Sequence, residues 1–174
     1  KNHPEALETK AATDVFDRTR AAWIQTMTAV KVTEISGTTQ KQAQAIIQGA
    51  TAKAVADGVA SQAELGKMIQ GEMREKGGIL SRARARVIAR TESHASANAA
   101  NQEAAAATGL ALKKEWVSSS GGDTRDDHRD ADGQTVDLHS PFVVGGEELM
   151  YPGDPRGSAG NVINCRCASV HVAD

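Results

Sequence analysis

Aromatic side chains are scarce in this chain: two Trp, one Tyr and two Phe make up 3 % of its 174 residues. A core of stacked rings is therefore excluded, and Ala, Val, Ile, Leu and Met must fill the interior. Such a core is thin per residue and leaves apolar surface for a partner to complete. Cysteine is as scarce: Cys165 and Cys167 are the only two, too few for a disulfide framework. No apolar run reaches the roughly 18 residues of a membrane span, and no secretory signal pattern is present. Neither membrane insertion nor secretion is expected, and assembly in the cytoplasm is the default. The first residue is Lys1 rather than Met, so a fragment or a processed product is expected.

Charge of one sign is also lacking, with a net value of −2. The balance is uneven, however. Residues 1–108 hold 14 Lys+Arg against 11 Asp+Glu, and residues 109–174 hold 6 against 11. A nucleic-acid binder along its whole length is excluded by this balance. The most basic stretch, Arg82, Arg84 and Arg86, is a candidate for weak phosphate contacts. The competing reading is a solvated helix start.

The order of elements follows from spacing and stops. Phe16, Trp23, Met27 and Val30 form a helical stripe within residues 4–31. Gly37 breaks it, and Thr38 or Thr39 caps a second helix to about Asp57, with Ile46, Ile47, Ala50 and Ala54 inward. Ser61-Gln62-Ala63-Glu64 reads as a capping box for a third helix that holds Leu65, Met68 and Ile69 and ends at Gly77-Gly78. The longest helix runs from Ser81 to about Thr108 and stops at Gly109. Beyond it the period changes to two: Leu110, Leu112 and Trp116 share a parity. Asp132-Gly133 signals a hairpin turn before a short run at Val136 and Leu138, and Phe142-Val143-Val144 is a further apolar run that stops at Gly145-Gly146. Residues 152–160 read as loop, and residues 164–172 as an alternating strand. The expected fold is α+β: a helical region over 1–80, then a domain over 81–174 in which a small antiparallel sheet packs on the long helix.

The special chemistry is concentrated in the last third. Arg90, His94, Asn98 and Asn101 fall within an arc of about 80° on the long helix. This stripe is either a solvated face or a buried one meeting the acidic loop, and a network with Asp126, Asp127 or Asp132 is the preferred use. His128, Asp130, Asp132 and Gly133 mimic the start of a calcium loop, but His139 stands where the last carboxylate belongs, so that reading is rejected. Zinc is chemically more suitable: His128, Cys165 and Cys167 are fitting ligand types, with His94 or His139 as a fourth. A regular strand holds Cys165 and Cys167 about 6.5 Å apart at Cα, awkward for one ion and at the limit for a disulfide. Simple packing of two small side chains beneath a loop stands beside the zinc reading. His128 with a cysteine is also a candidate nucleophile pair, although no phosphate-cradling or oxyanion-binding loop accompanies it.

Five ordered blocks carry a resemblance: A-R-T-E-S-H (89–94), Trp116, T-R-D-D-H-R-D-A-D-G (124–133), Y-P-G-D-P (151–155) and N-C-R-C (164–167). Together they resemble the phage Mu F-like head morphogenesis family of minor capsid proteins, found alone or fused behind a portal protein. The resemblance covers roughly residues 80–172. It implies a virion-head protein of a tailed phage or prophage, with portal or capsid protein as partner, packaged DNA touched without sequence preference, and a role in head assembly or genome delivery. It implies no catalytic chemistry, no small-molecule substrate and no cofactor. Some members carry C-x-x-C where Arg125 and His128 stand here, which with the N-C-x-C completes four zinc ligands; in this chain an Arg125 ion pair takes that place. Arg90, Glu92, His94, Trp116, Arg125, His128, Asp132, Asp154, Asn164, Cys165, Arg166 and Cys167 are expected to meet as a polar framework. The alternative class is a metal-dependent or Cys/His hydrolase, or the carrier domain of a toxin, built on His128, Cys165 and Cys167.

Overall fold

The computed structural model describes residues 4–27, 37–58, 62–77, 82–119 and 121–173. Four helices come first: α1 (Pro4–Met27), α2 (Gly37–Ala56), α3 (Gln62–Gly77) and α4 (Arg82–Ala107). The capping serine expected at 61 lies outside the described residues. α4 packs against α1 and α3, while α2 lies against α3 and α1. The spacing of the apolar residues explains the arrangement. Ala43, Ile47, Ala50 and Ala54 line one side of α2, and Leu65, Ile69 and Met73 line one side of α3. With Trp23, Ile88, Ala89, Ala95 and Ala99 they form a single cluster in which alanines let the helix axes approach closely.

A second, smaller core follows in the C-terminal part. Strand β1 (Leu112–Val117) lies at the centre of a three-stranded antiparallel sheet, between β2 (Thr135–Asp137) and β5 (Ala168–Ala173). Trp116 sits opposite Ser169, and Lys114 opposite both Val136 and His171. β3 (Phe142–Val144) and β4 (Glu147–Leu149) form a separate hairpin. Its turn, Gly145-Gly146, has φ of 57° and 78°. Two successive positive values are what a two-residue turn of right-handed twist demands. Trp116, Ala131, Phe142, Val144, Leu149, Cys165 and Cys167 make up this core.

The mixed helix-and-sheet class agrees with the sequence, and several local details differ. Asp132-Gly133 does not join two strands. It closes the short helix α5 (Asp126–Asp130), and the Gly133 amide donates to the Trp116 carbonyl at 2.8 Å. β4 and the four-residue helix α6 (Ala159–Val162) fall where a stop and a loop are expected. Strand β5 begins only at Ala168, so both cysteines precede it in irregular backbone. Asn164 has φ of 59°, a left-handed conformation that asparagine tolerates better than most residues. This bend brings both sulfurs together beside His128, whereas a regular strand holds such positions about 6.5 Å apart at Cα.

Candidate functional site

The polar stripe of α4 is half-buried, with Asn98 fully so, and it meets the chain leading into β5 rather than acid. Arg90 Nη1 donates to Asn164 Oδ1 at 2.9 Å, and the Asn164 amide donates to Thr91 Oγ1 at 2.8 Å. His94 Nε2 lies 2.5 Å from the Cys167 carbonyl, which also accepts from Asn98 Nδ2 at 3.3 Å. Asn101 Nδ2 donates to the Ser169 carbonyl at 3.1 Å, and Gln102 Nε2 to the Leu138 carbonyl at 2.6 Å. The network expected between Arg90 or His94 and Asp126, Asp127 or Asp132 is not what forms. The stripe faces the chain entering β5, and the acidic residues lie elsewhere. Asp126 pairs with Arg129 at 3.3 Å, and Asp132 Oδ1 accepts the Ser118 amide at 2.7 Å. Burial lowers the basicity of His94 despite the Cys167 carbonyl beside it. Glu92 is buried on the same helix.

Arg125 likewise donates to a carbonyl, that of Ile163, at 2.5 Å. The ion pair expected for it is replaced by this backbone contact, which ties the start of α5 to the turn before Asn164. Arg166 is half exposed and stands 3.8 Å from Asp123. The side chains of Arg82 and Arg84 lie outside the described residues, and Arg86 is exposed near the start of α4.

Around Trp116 three potential metal ligands converge. His128 Nδ1 is 3.2 Å from Cys167 Sγ and 3.7 Å from Cys165 Sγ. All three ligand atoms lie within 4.8 Å of one another, and all three residues are buried. His94 takes no place in the cluster, because its Nε2 is turned to the Cys167 carbonyl. His139 is likewise absent from it. Trp116 packs edge-on against His128, with centroids 5.6 Å apart, and against Phe142 at 5.3 Å. Hydrogen bonding from Cys165, joined by His128, lowers the Cys167 thiol to about 4, and the same bond together with burial pushes the Cys165 thiol up. An open pocket of about 100 Å³ adjoins the cluster, lined by Ser119, Asp123, Arg125, His128, Asn164 and Cys167 among others.

The Y-P-G-D-P block performs a separate task. Tyr151 packs on the helical core, and its hydroxyl accepts from Trp23 Nε1 at 3.3 Å. Asp154, 2 % exposed, accepts the amides of Met150 and Arg156 and the Arg156 guanidinium. Lys114 was missed in the sequence although it shares the parity of Leu112 and Trp116. It is fully buried, donates to the Met150 carbonyl at 2.7 Å and lies 5.0 Å from the Phe142 ring centroid. Burial lowers its ammonium to about 8, against the pull of Asp154.

Burial alone raises the Asp154 carboxyl, but its hydrogen bonds from Arg156 and Met150 together outweigh that and hold it below the ordinary value. A depressed folded value stabilises the fold above the unfolded value of about 3.9, and that contribution is lost as the pH falls through the folded value. Asp154→Asn is therefore expected to lower neutral-pH stability by about 1.5–3 kcal/mol. It should also flatten the loss of stability on acidification below about pH 4. Urea midpoints measured across that pH range check both effects. Equal midpoints at neutral pH would remove the carboxylate from the account of stability.

The helix α4, the bent N-C-R-C segment and the P-G-D-P loop are thus tied into one α+β unit. A family model described as "Phage Mu protein F like protein" matches residues 39–170, and the chain belongs to that family. The match begins well before the five motif blocks and takes in α2 and α3. Among curated proteins, "Uncharacterized protein YqbB" of Bacillus subtilis (strain 168) is 36 % identical over 97 residues, 53 % of this chain and 32 % of that protein. "NAD(+)--arginine ADP-ribosyltransferase EFV" of Enterococcus faecalis (strain ATCC 700802 / V583) is 33 % identical over 90 residues, 50 % of this chain and 18 % of that protein. The matched stretch is thus a third of one relative or less. No solved structure matches. Membership links the chain to phage head morphogenesis. Among the described residues, no helix is long and apolar enough to cross a membrane.

Proposed function

We propose that this chain is a minor capsid protein that docks on the portal or capsid protein of a tailed phage or prophage head, assembled in the bacterial cytoplasm. It acts in head assembly or genome delivery. The family match across residues 39–170 carries the reading, since it spans α2 to α4 and the β part together. The site chemistry supports it. Arg90, His94, Asn98, Asn101 and Gln102 all spend hydrogen bonds on joining loops to α4. Packaged DNA is a secondary and sequence-blind contact, made through the basic start of α4.

Purified chain is expected to co-sediment with portal rings, and to stay bound at salt concentrations that abolish its retention on DNA. Replacing Arg82, Arg84 and Arg86 with Ala should weaken DNA retention and leave portal binding unchanged. Loss of portal binding in parallel with DNA binding would instead make the chain a nucleic-acid module.

A second reading is the carrier part of an effector, and it rests on the relative named as an arginine ADP-ribosyltransferase. The matched segment is 18 % of that relative, so most of that protein lies outside it. The hydrolase variant of this reading has a His128–Cys167 pair within hydrogen-bond reach. Burial of both groups counts against it, because a substrate reaches them only through the adjoining pocket of about 100 Å³, which suits water or a small anion better than a polymer. Incubation with NAD+ and an arginine-rich acceptor is expected to release no nicotinamide. Release above the level of a His128→Asn, Cys167→Ser chain would establish the enzyme.

A further inference from the structure

The head-protein reading leaves His128, Cys165 and Cys167 without a task. We propose that these three residues bind one Zn2+ ion, with the fourth coordination position open to the adjoining pocket. This inference is independent of the portal-binding proposal, because it concerns only the interior of the β part.

The geometry fits the ion. Zinc–ligand bonds of about 2.3 Å to sulfur and about 2.0 Å to nitrogen place tetrahedral N···S neighbours about 3.5 Å apart. The observed separations from His128 Nδ1, 3.2 and 3.7 Å, bracket that value. All three donors are buried and lie within 4.8 Å of one another. Two thiols and an imidazole are soft donors, which favour zinc over calcium or magnesium.

The surroundings hold the donors in place without help from a metal. The Cys167 amide donates to Cys165 Sγ at 3.4 Å, which fixes the position of that sulfur. The Cys167 carbonyl is held by His94 and Asn98, so the backbone carrying that sulfur is anchored to α4. Arg125 holds the Ile163 carbonyl and so fixes the approach to Asn164 and Cys165. Supporting contacts of this kind orient metal ligands and raise affinity. One feature opposes binding. His128 Nε2 is buried without a hydrogen-bond partner, so with zinc on Nδ1 its N–H stays unpaired. That cost is small beside what zinc binding contributes.

Among the described residues no fourth His, Cys, Asp or Glu joins the three. The pocket of about 100 Å³ beside His128 and Cys167 has room for water or a small anion there. Arg125 and Arg166 line the same pocket, and their positive charge favours an anion. On binding, protons held by the thiols and the imidazole pass to the solvent. The ion and two thiolates are then neutral together.

The test uses the full chain loaded with Zn2+ in competition with a chromophoric chelator, and in parallel with Co2+. One equivalent of zinc per chain is expected, with the intense visible band of tetrahedral Co2+ and a sulfur-to-metal band in the near ultraviolet. Cys165→Ser and Cys167→Ser should each weaken zinc binding by more than about 100-fold, beyond the usual effect of losing a supporting contact. X-ray absorption of the unsubstituted zinc-loaded chain serves should those variants fail to fold, and two sulfurs with two light atoms are expected. Azide should shift the Co2+ band by occupying the fourth position. Substoichiometric zinc, or a first shell without sulfur, would overturn the site. A band indifferent to azide would overturn the open position.

Discussion

Replacing Trp116 with Ala is expected to lower stability by about 3–5 kcal/mol, a large share of the roughly 5–15 kcal/mol available to a domain. The reason is the size of the second core. Trp116 is fully buried, touches His128 and Phe142 edge-on, and is the largest of the seven buried members of that cluster. The remaining members include Ala131 and two cysteines, which cannot expand into the space. The measurement is convenient because Trp116→Ala leaves Trp23, in the helical cluster, as the sole tryptophan. Trp23 emission and far-UV circular dichroism should both shift to a lower urea midpoint, together, because α4 belongs to the helical cluster and is hydrogen-bonded to the chain at Cys167 and Ser169. A loss below about 1 kcal/mol, the middle of the range for ordinary point mutants, would show that the β part is not organised around this ring.

Gly153→Ala is the second large effect expected, and it reports on the seam between the two cores. Gly153 has φ of +84°, and an added Cβ would stand 3.0 Å from Ala95 Cβ and 3.1 Å from Ala95 Cα. The left-handed conformation costs about 1–2 kcal/mol for a residue with a side chain. Overpacking adds about 1–3 kcal/mol, because the obstacle includes helix backbone that cannot turn aside. A combined loss of roughly 2–5 kcal/mol is expected in thermal or urea unfolding. Gly122→Ala is the control: nothing lies within 4 Å of its Cβ, and its effect should stay within about 0.5 kcal/mol. If the two glycine variants unfold alike, the P-G-D-P loop does not rest on α4 as described.

The four long helices were legible because their apolar residues recur at helical spacing and glycines mark the stops at 37, 77 and 109. The short elements were not. α5, α6 and β4 have three to five residues each, and segments so short are shaped by what they pack against rather than by their own pattern. Lys114 could not be read as a core residue, since its charge argues for solvent until the Met150 carbonyl, 36 positions away, is seen to accept it. The polar stripe on α4 was legible as a stripe but not in its use. Carbonyl acceptors such as those of Cys167, Ser169 and Leu138 leave no trace in the identity of the residue that carries them. The convergence of both sulfurs on His128 was hidden for a related reason. It depends on the backbone at Asn164, and N-C-R-C alone does not reveal that bend.

That last contrast bears on how the joint between helix and sheet tolerates change. From the α4 side the joint is made by particular side chains, whereas on the facing strand it is received largely by main chain. Ser169 can therefore be exchanged for other small residues without cutting the bond from Asn101, while Asn101 has no such freedom. The helix thus works as a template that specifies a path for the chain and stays indifferent to the letters written along it. Variation among proteins built on this plan should accordingly pass through the strand and stop at the helix.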